Sequence, residues 1–360
     1  MVMEKTIRCL VFVLILTALI SAFALASASV AINAAYFPDP NFRAFVSTYD
    51  NGDGVLTDYE ISFIRDINCQ SSKIKSLQGI NYLTSLEELK CGYNELTELN
   101  ITGCPKLVVL YCERNQIQNL QLTSCPALEF LECGSNKLES LDISKNTALL
   151  SLDCSNNNLT SLNVSRCKKL NYLKCSANKI RDLVLSGNTK LRTLACEDNQ
   201  ISELKLSGYS SLTFLNCYKN RITSLSISGC KQLYQLYCSQ NQLTAIDVSS
   251  ASKIVKALKA KYGSASIYYS GIGYGEAGDT YCYTDSGVAI IASIQIMVPE
   301  SLTAIPDECF KNVKADLVRI PRSVTSISAT AFDLSTLVIC PSGSYAERRC
   351  RELGLTVLAE

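Results

Sequence analysis

Residues Leu149 to Val164 read LLSLDCSNNNLTSLNV, and the spacing inside this stretch recurs along the middle of the chain. Its cysteine belongs to a series at every twenty-first position: Cys91, Cys112, Cys133, Cys154, Cys175, Cys196, Cys217 and Cys238. An asparagine stands three residues after each, from Asn94 to Asn241. Leucine precedes each cysteine by five and by two residues, from Leu86 and Leu89 to Leu233 and Leu236. Leu or Ile follows by five, and an aliphatic residue again by eight and ten, with Val164 and Val248 the valines among them. A strict period of this length is the signature of a solenoid, in which each unit buries its apolar face only against its neighbours. Function in such a chain is to be sought on extended surfaces.

Within one unit, Leu-x-x-Leu-x-Cys-x-x-Asn-x-Leu reads as a strand followed by a turn. Side chains alternate along a strand, so Leu89 and Cys91 face inward while Glu88, Lys90 and Gly92 face out. Repetition pairs the strands in parallel and stacks identical residues about 4.8 Å apart. Asparagine suits the bend because it tolerates left-handed backbone and bonds nearby main-chain groups. Inside a stack it also satisfies backbone groups of the next turn. A second apolar alternation follows in each unit, such as Leu99 with Ile101 and Leu183 with Leu185. It predicts a second extended segment on the far side, because 21 residues leave little room for a full helix.

These units resemble leucine-rich repeats, specifically the short bacterial class with consensus Leu-x-x-Leu-x-Cys-x-x-Asn-x-Leu-x-x-Leu-Asp-Leu. The resemblance covers residues 84–250 as eight regular turns, and Cys69 with Ile74 and Leu77 suggests a degenerate earlier one. It implies a β-rich solenoid with parallel strands and short helical caps. It implies no particular ligand, since the family is defined by its scaffold.

Residues 1–28 carry Lys5 and Arg8, an apolar run from Cys9 to about Ala26, and the tripeptide Ala26-Ser27-Ala28. That is the pattern of a secretory signal peptide, with an uncleaved anchor as the weaker reading because the run is short. The expected location is therefore secreted or cell surface, with no membrane span in the mature chain. Exported cysteines usually form disulfides, yet in-register parallel positions point their side chains the same way, which is poor disulfide geometry. The eight-membered series reads as reduced core thiols, which behave as small hydrophobes. A second series, Cys104, Cys125, Cys167 and Cys230, leaves one disulfide conceivable between the adjacent turns of Cys104 and Cys125. The chain has no histidine and no tryptophan. Without histidine there is no imidazole-activated nucleophile and no imidazole metal site. No carboxylate pair stands out for acid–base work, so no catalytic residue is assigned and a non-enzymatic protein is expected. A net charge of +1, from 34 basic and 33 acidic residues, shows no bias toward nucleic acid.

An open solenoid needs caps. Residues 29–83 should supply the first. Within them DNGDGVLTDYE, Asp50 to Glu60, is similar to an EF-hand calcium loop, with Asn51, Asp53 and Glu60 as candidate metal ligands. Position one would fall on Tyr49, a poor ligand, and a loop starting at Asp50 is one residue short. A purely structural helix–turn–helix cap is the competing reading, and calcium is the one cofactor left open. FPDxNFR…DGxL…E segments of this kind resemble the caps of bacterial leucine-rich surface proteins. Residues 251–298 begin with helical spacing (ASKIVKALKAKY) and continue as a Gly/Tyr/Ser-rich stretch predicting an irregular hairpin and a strand. Residues 299–360 carry Ile305-Pro306, Ile320-Pro321 and Ile339-Cys340-Pro341, and resemble the longer BspA or treponemal leucine-rich repeats. That resemblance implies an extracellular adhesion protein.

The outward strand positions hold five aromatics, Tyr111, Phe130, Tyr172, Phe214 and Tyr237, with Tyr218 at their edge and the charges Lys90, Glu132, Asp153 and Lys174 among them. Clustered surface aromatics mark recognition faces, although aromatics are also simply good strand formers. The expectation is an exported adhesin or recognition protein that binds an extracellular protein or glycan through this face. A glycan-binding module for nutrient capture and an envelope spacer are the alternatives.

Overall fold

The computed structural model describes residues 29–243, 245–256, 268–269, 281–283, 289–291, 295–298, 300–307, 317–332 and 336–359. The expected signal peptide, the far end of the helix expected after residue 251 and most of the Gly/Tyr-rich stretch lie outside them. The chain divides into two compact units, Met1–Leu149 and Leu150–Glu360.

The first unit opens with a cap. Val30–Ala31 pairs antiparallel with Val55–Leu56, and short helices run over Pro40–Val46 and Asp58–Phe63. Asp39 caps the first helix by accepting from the Asn41 and Phe42 amides at 2.9 and 3.0 Å. Its other oxygen accepts from the amides of Lys75 and Ser76 at 2.7 and 3.2 Å, which staples the cap to the first turn. Burial works to raise the Asp39 pKa, but the four amides together outweigh it and hold the carboxyl below its ordinary value. Thr57 and Glu60 form a reciprocal capping box on the second helix.

Parallel strands follow at Asp66–Asn68, Glu88–Lys90, Val109–Tyr111 and Phe130–Glu132, with Ile67, Leu89, Leu110 and Leu131 in register. The degenerate early turn at Cys69 is thus a real one. In the second unit the strands Ser151–Asp153, Tyr172–Lys174, Thr193–Ala195, Phe214–Asn216 and Gln235–Tyr237 pair in the same way, and Tyr281–Tyr283 adds one more. The expected far-side segments form parallel pairs, Ser161–Asn163 with Asp182–Val184 and Glu203–Lys205 with Ser224–Ser226. In the first unit they shrink to a bridge between Leu99 and Leu120. The fold is a parallel-strand β-solenoid with few helices.

Each turn bends through one left-handed residue two places after the cysteine: Tyr93, Arg114, Ser135, Asn156, Ala177, Asp198, Lys219 and Gln240, with φ between 51° and 57°. The next residue is the ladder asparagine. Asn199 donates to the carbonyls of Cys175, Cys196 and Glu197 at 3.0–3.2 Å, while its Oδ1 accepts from the Ile180 amide at 3.0 Å. Asn94, Asn115 and Asn136 repeat the pattern in the first unit. All described ladder cysteines are at most 1% exposed and unbridged.

The second cysteine series has a different logic. Cys104 and Cys125 direct their thiols to the carbonyls of Ile80 and Ile101, 24 residues back, and Cys230 does so to Leu206. Asn146 and Asn188 donate to Leu122 and Val164, and the Tyr209 hydroxyl to Leu185, at the same offset. Cys, Asn and Tyr interchange here because each brings a donor to one buried carbonyl. The conceivable Cys104–Cys125 disulfide is absent, both being free and buried.

The C-terminal part of the second unit holds a parallel sheet of Gln295–Met297, Leu317–Arg319, Leu337–Cys340 and Thr356–Ala359. The helix Tyr345–Glu352, capped by Ser344, packs Ala346 and Cys350 into its core.

Candidate functional site

The outward strand positions flank fully buried leucines, so backbone alternation fixes which side chains reach the surface. In the first unit, Tyr111 and Phe130 are half-buried and Glu132 is exposed. Lys90 forms an ion pair with Glu88 and lies 5.7 Å from the Tyr111 ring centroid. Burial, and then the Glu132 charge, push the Tyr111 phenol above its ordinary pKa. On the turn beside this face, Tyr93 is 51% exposed with the Arg114 guanidinium 5.2 Å from its ring. That cation–π pair was not expected from the sequence, because the left-handed turn that swings Tyr93 outward is invisible there.

In the second unit, Tyr172 is 36% exposed, and Phe214 and Tyr237 pack with their rings tilted by 49° and centroids 5.7 Å apart. Lys174 pairs with Asp153 at 3.4 Å. Partial burial disfavours the Lys174 charge, but Asp153 outweighs it and leaves the ammonium above its ordinary pKa. Tyr218 is half-buried, its amide donating to Asn216 Oδ1 at 3.1 Å. The expected aromatics therefore stand on the strand face, but packed along their edges and not fully bare. Such rings are preorganised, since neighbours already restrict their rotamers.

Two carboxylates were missed. Glu113 and Glu197 follow a ladder cysteine directly, where the other turns carry Gly, Ser or, at Tyr218, Tyr. Glu113 accepts from Gln70 Nε2 at 3.2 Å and lies over Gly92, whose added Cβ would come within 2.4 Å of its Oε1. Gly92 is therefore covered, contrary to the outward reading of that position. One oxygen of each carboxylate, Oε2, is buried without a hydrogen-bond partner.

The calcium-loop residues are tied into the cap. Glu60 accepts from the amides of Asn51 and Thr57 at 3.0 and 2.8 Å, and its two bonds to Thr57 and then the Asn51 amide hold its pKa below the usual range. Asp53 accepts from Val55 at 2.9 Å, and Asp50 from Gly54 at 3.0 Å. Among the described residues no group of three or more His, Cys, Asp or Glu is arranged to hold a metal. In this arrangement Asn51, Asp53 and Glu60 accept from the cap's own amides and shape the loop.

Two family comparisons match the chain. The LRR domain of endo-beta-N-acetylglucosaminidase EndoS matches residues 37–157, and a family of two leucine-rich repeat copies matches residues 210–251. Both matched stretches are leucine-rich repeat segments. Among solved structures, the functional domain of InlJ from Listeria monocytogenes, which includes a cysteine ladder, is 24% identical. It aligns over 88% of this chain and 76% of its own with a TM-score of 0.54. An internalin, InlF, from Listeria monocytogenes is 22% identical over 94% of this chain and 93% of its own, with a TM-score of 0.53. At these identities the likeness is one of leucine-rich repeat fold. No curated protein sequence matches the chain.

Proposed function

We propose that this protein is an exported, non-enzymatic recognition protein that binds an extracellular macromolecule through its strand face. The observation that carries the reading is the half-exposed aromatic surface of the second unit, Tyr172 with the tilted Phe214–Tyr237 pair, bordered by the Lys174–Asp153 pair. A few aromatic anchors are how interfaces concentrate binding energy. Export is supported by the leader sequence of residues 1–28; among the described residues no helix is long and apolar enough to cross a membrane. The BspA-like motifs of residues 299–360 support an adhesion role. Protein is preferred to glycan as the partner of this face, because it offers apolar area with little free hydrogen-bonding capacity. The test is capture from an extracellular protein library on immobilised protein, followed by competition with the aromatic variant described in the Discussion. A saturable partner that binds that variant equally well would sink the strand-face assignment.

A further inference from the structure

The first unit contains a cleft of about 370 Å³ away from the strand face, between the cap and the first two turns. Its size lies at the small end of the range for small-ligand sites, about 300–1,000 Å³. Two rings border it, Tyr36 at 42% exposure and Tyr82, packed edge to face with centroids 5.8 Å apart. The remaining lining is polar, with Ser76, Gln78, Asn81, Glu98 and Asn100.

We infer that this cleft is a binding site for one neutral sugar unit, independent of the strand-face reading. The lining contains no Lys or Arg, so a phosphate or carboxylate would lose hydration without gaining a counter-charge. Its single aliphatic residue, Leu77, is buried, so a lipid tail would find almost no apolar wall. A hydroxyl-rich ring finds what it needs: an aromatic face for its C–H surface, with donors and acceptors for its hydroxyls. Glu98 makes no hydrogen bond or ion pair among the described residues, which leaves both oxygens to accept. Asn100 Oδ1 is held by the Thr102 amide and hydroxyl at 3.1 and 2.8 Å, so its Nδ2 is an oriented donor. Ser76 Oγ accepts from the Gln78 amide at 3.1 Å and keeps its own proton to give.

The walls are also rigid. Gly79 is buried with φ of 101°, and a Cβ there would lie 2.4 Å from the Phe37 ring. A Cβ on Gly103 would lie 1.9 Å from the Asn81 carbonyl oxygen. The turn carrying Gln78 and Asn81 is thus clamped from both sides before any ligand arrives, and little ordering remains to oppose binding.

The test is calorimetric and saturation-transfer NMR titration of the purified protein with glucose, galactose and N-acetylglucosamine, with inorganic phosphate and glucosamine as charged probes. At least one neutral sugar should saturate at or below about 10 mM. Tyr36→Ala and Glu98→Ala should each weaken it about tenfold, while Tyr172→Ala on the strand face leaves it unchanged. Glu98 has no partner to lose, so its variant reports binding even if Tyr36→Ala perturbs the cap. Saturation by none of the neutral sugars, tighter binding of phosphate or glucosamine, or full affinity in both cleft variants would overturn the assignment. Partner binding undiminished by joint replacement of Tyr172, Phe214 and Tyr237, with sugar binding intact, would fail the strand-face reading alone.

Discussion

The residues that hold each turn are those whose side chains replace backbone partners. Asn199 is 9% exposed and closes four backbone groups at once. Truncation strands those groups in the core, which costs about 1–3 kcal/mol. Asn199→Ala should therefore lower the urea midpoint of unfolding, and by more than Asn241→Ala in the last regular turn. An unchanged midpoint would deny the asparagines their internal role. The neighbouring left-handed position gives the opposite sign. Ala177 holds φ of 51°, where its Cβ crowds the following carbonyl. Asparagine tolerates that conformation, so Ala177→Asn should raise stability by about 0.5–1 kcal/mol, and Ala177→Val should lower it. Thermal melts of the two variants, read against the parent, decide the point.

At the level of the strand, inward and outward positions separate stability from recognition. Replacing Tyr172, Phe214 and Tyr237 together by Ser leaves every inward leucine, cysteine and asparagine in place. The Phe214–Tyr237 ring contact is lost, at about 0.5–1.5 kcal/mol, so melting should shift modestly. Affinity for the captured partner should fall at least about a hundredfold, since a few aromatic anchors carry most interface energy. The control is Asn163→Ser with Lys205→Ser, both exposed on the far-side segments. Surface plasmon resonance with both proteins distinguishes the faces: loss of binding in the control alone would move the recognition surface to the far side.

Across the molecule, the thiols give the fold a pH signature. Burial pushes Cys69, Cys104 and Cys350 up to about 12, and Cys125, Cys167 and Cys230 up to about 11. The ladder thiols Cys91, Cys112, Cys175 and Cys196 are raised well above the ordinary value by the same desolvation. Unfolded thiols ionise near about 8.5. Between that value and the folded one the unfolded chain holds fewer protons, so stability is full below about pH 8.5 and falls as pH rises. Each fully buried thiol adds up to about 1.4 kcal/mol per pH unit to that fall. The urea midpoint in reducing buffer should drop between pH 8 and pH 10, and Cys196→Ala should make the drop shallower. A flat profile would mean that the thiols do not ionise on unfolding, as disulfides would not.

The solenoid was legible in the sequence because its cause is local and repeated. An apolar residue at every second strand position and a fixed 21-residue period leave one way to bury all the leucines, and the Leu–Cys–Asn columns follow from it. In the folded cap, Asp39 and Thr57 each supply the acceptor that a helix start needs. Three things were decided only by tertiary structure. The interchange of Cys, Asn and Tyr in the second column makes sense only once a carbonyl 24 residues back stands opposite all of them. The oxygens of Asn51, Asp53 and Glu60 each accept from amides of the loop, an orientation that a motif's order along the chain does not fix. The cleft at Tyr36 joins residues from the cap and two successive turns, and no spacing rule connects them. Period and alternation set which side chains face out; how far each is covered depends on neighbours a turn away, which the chain meets only when folded.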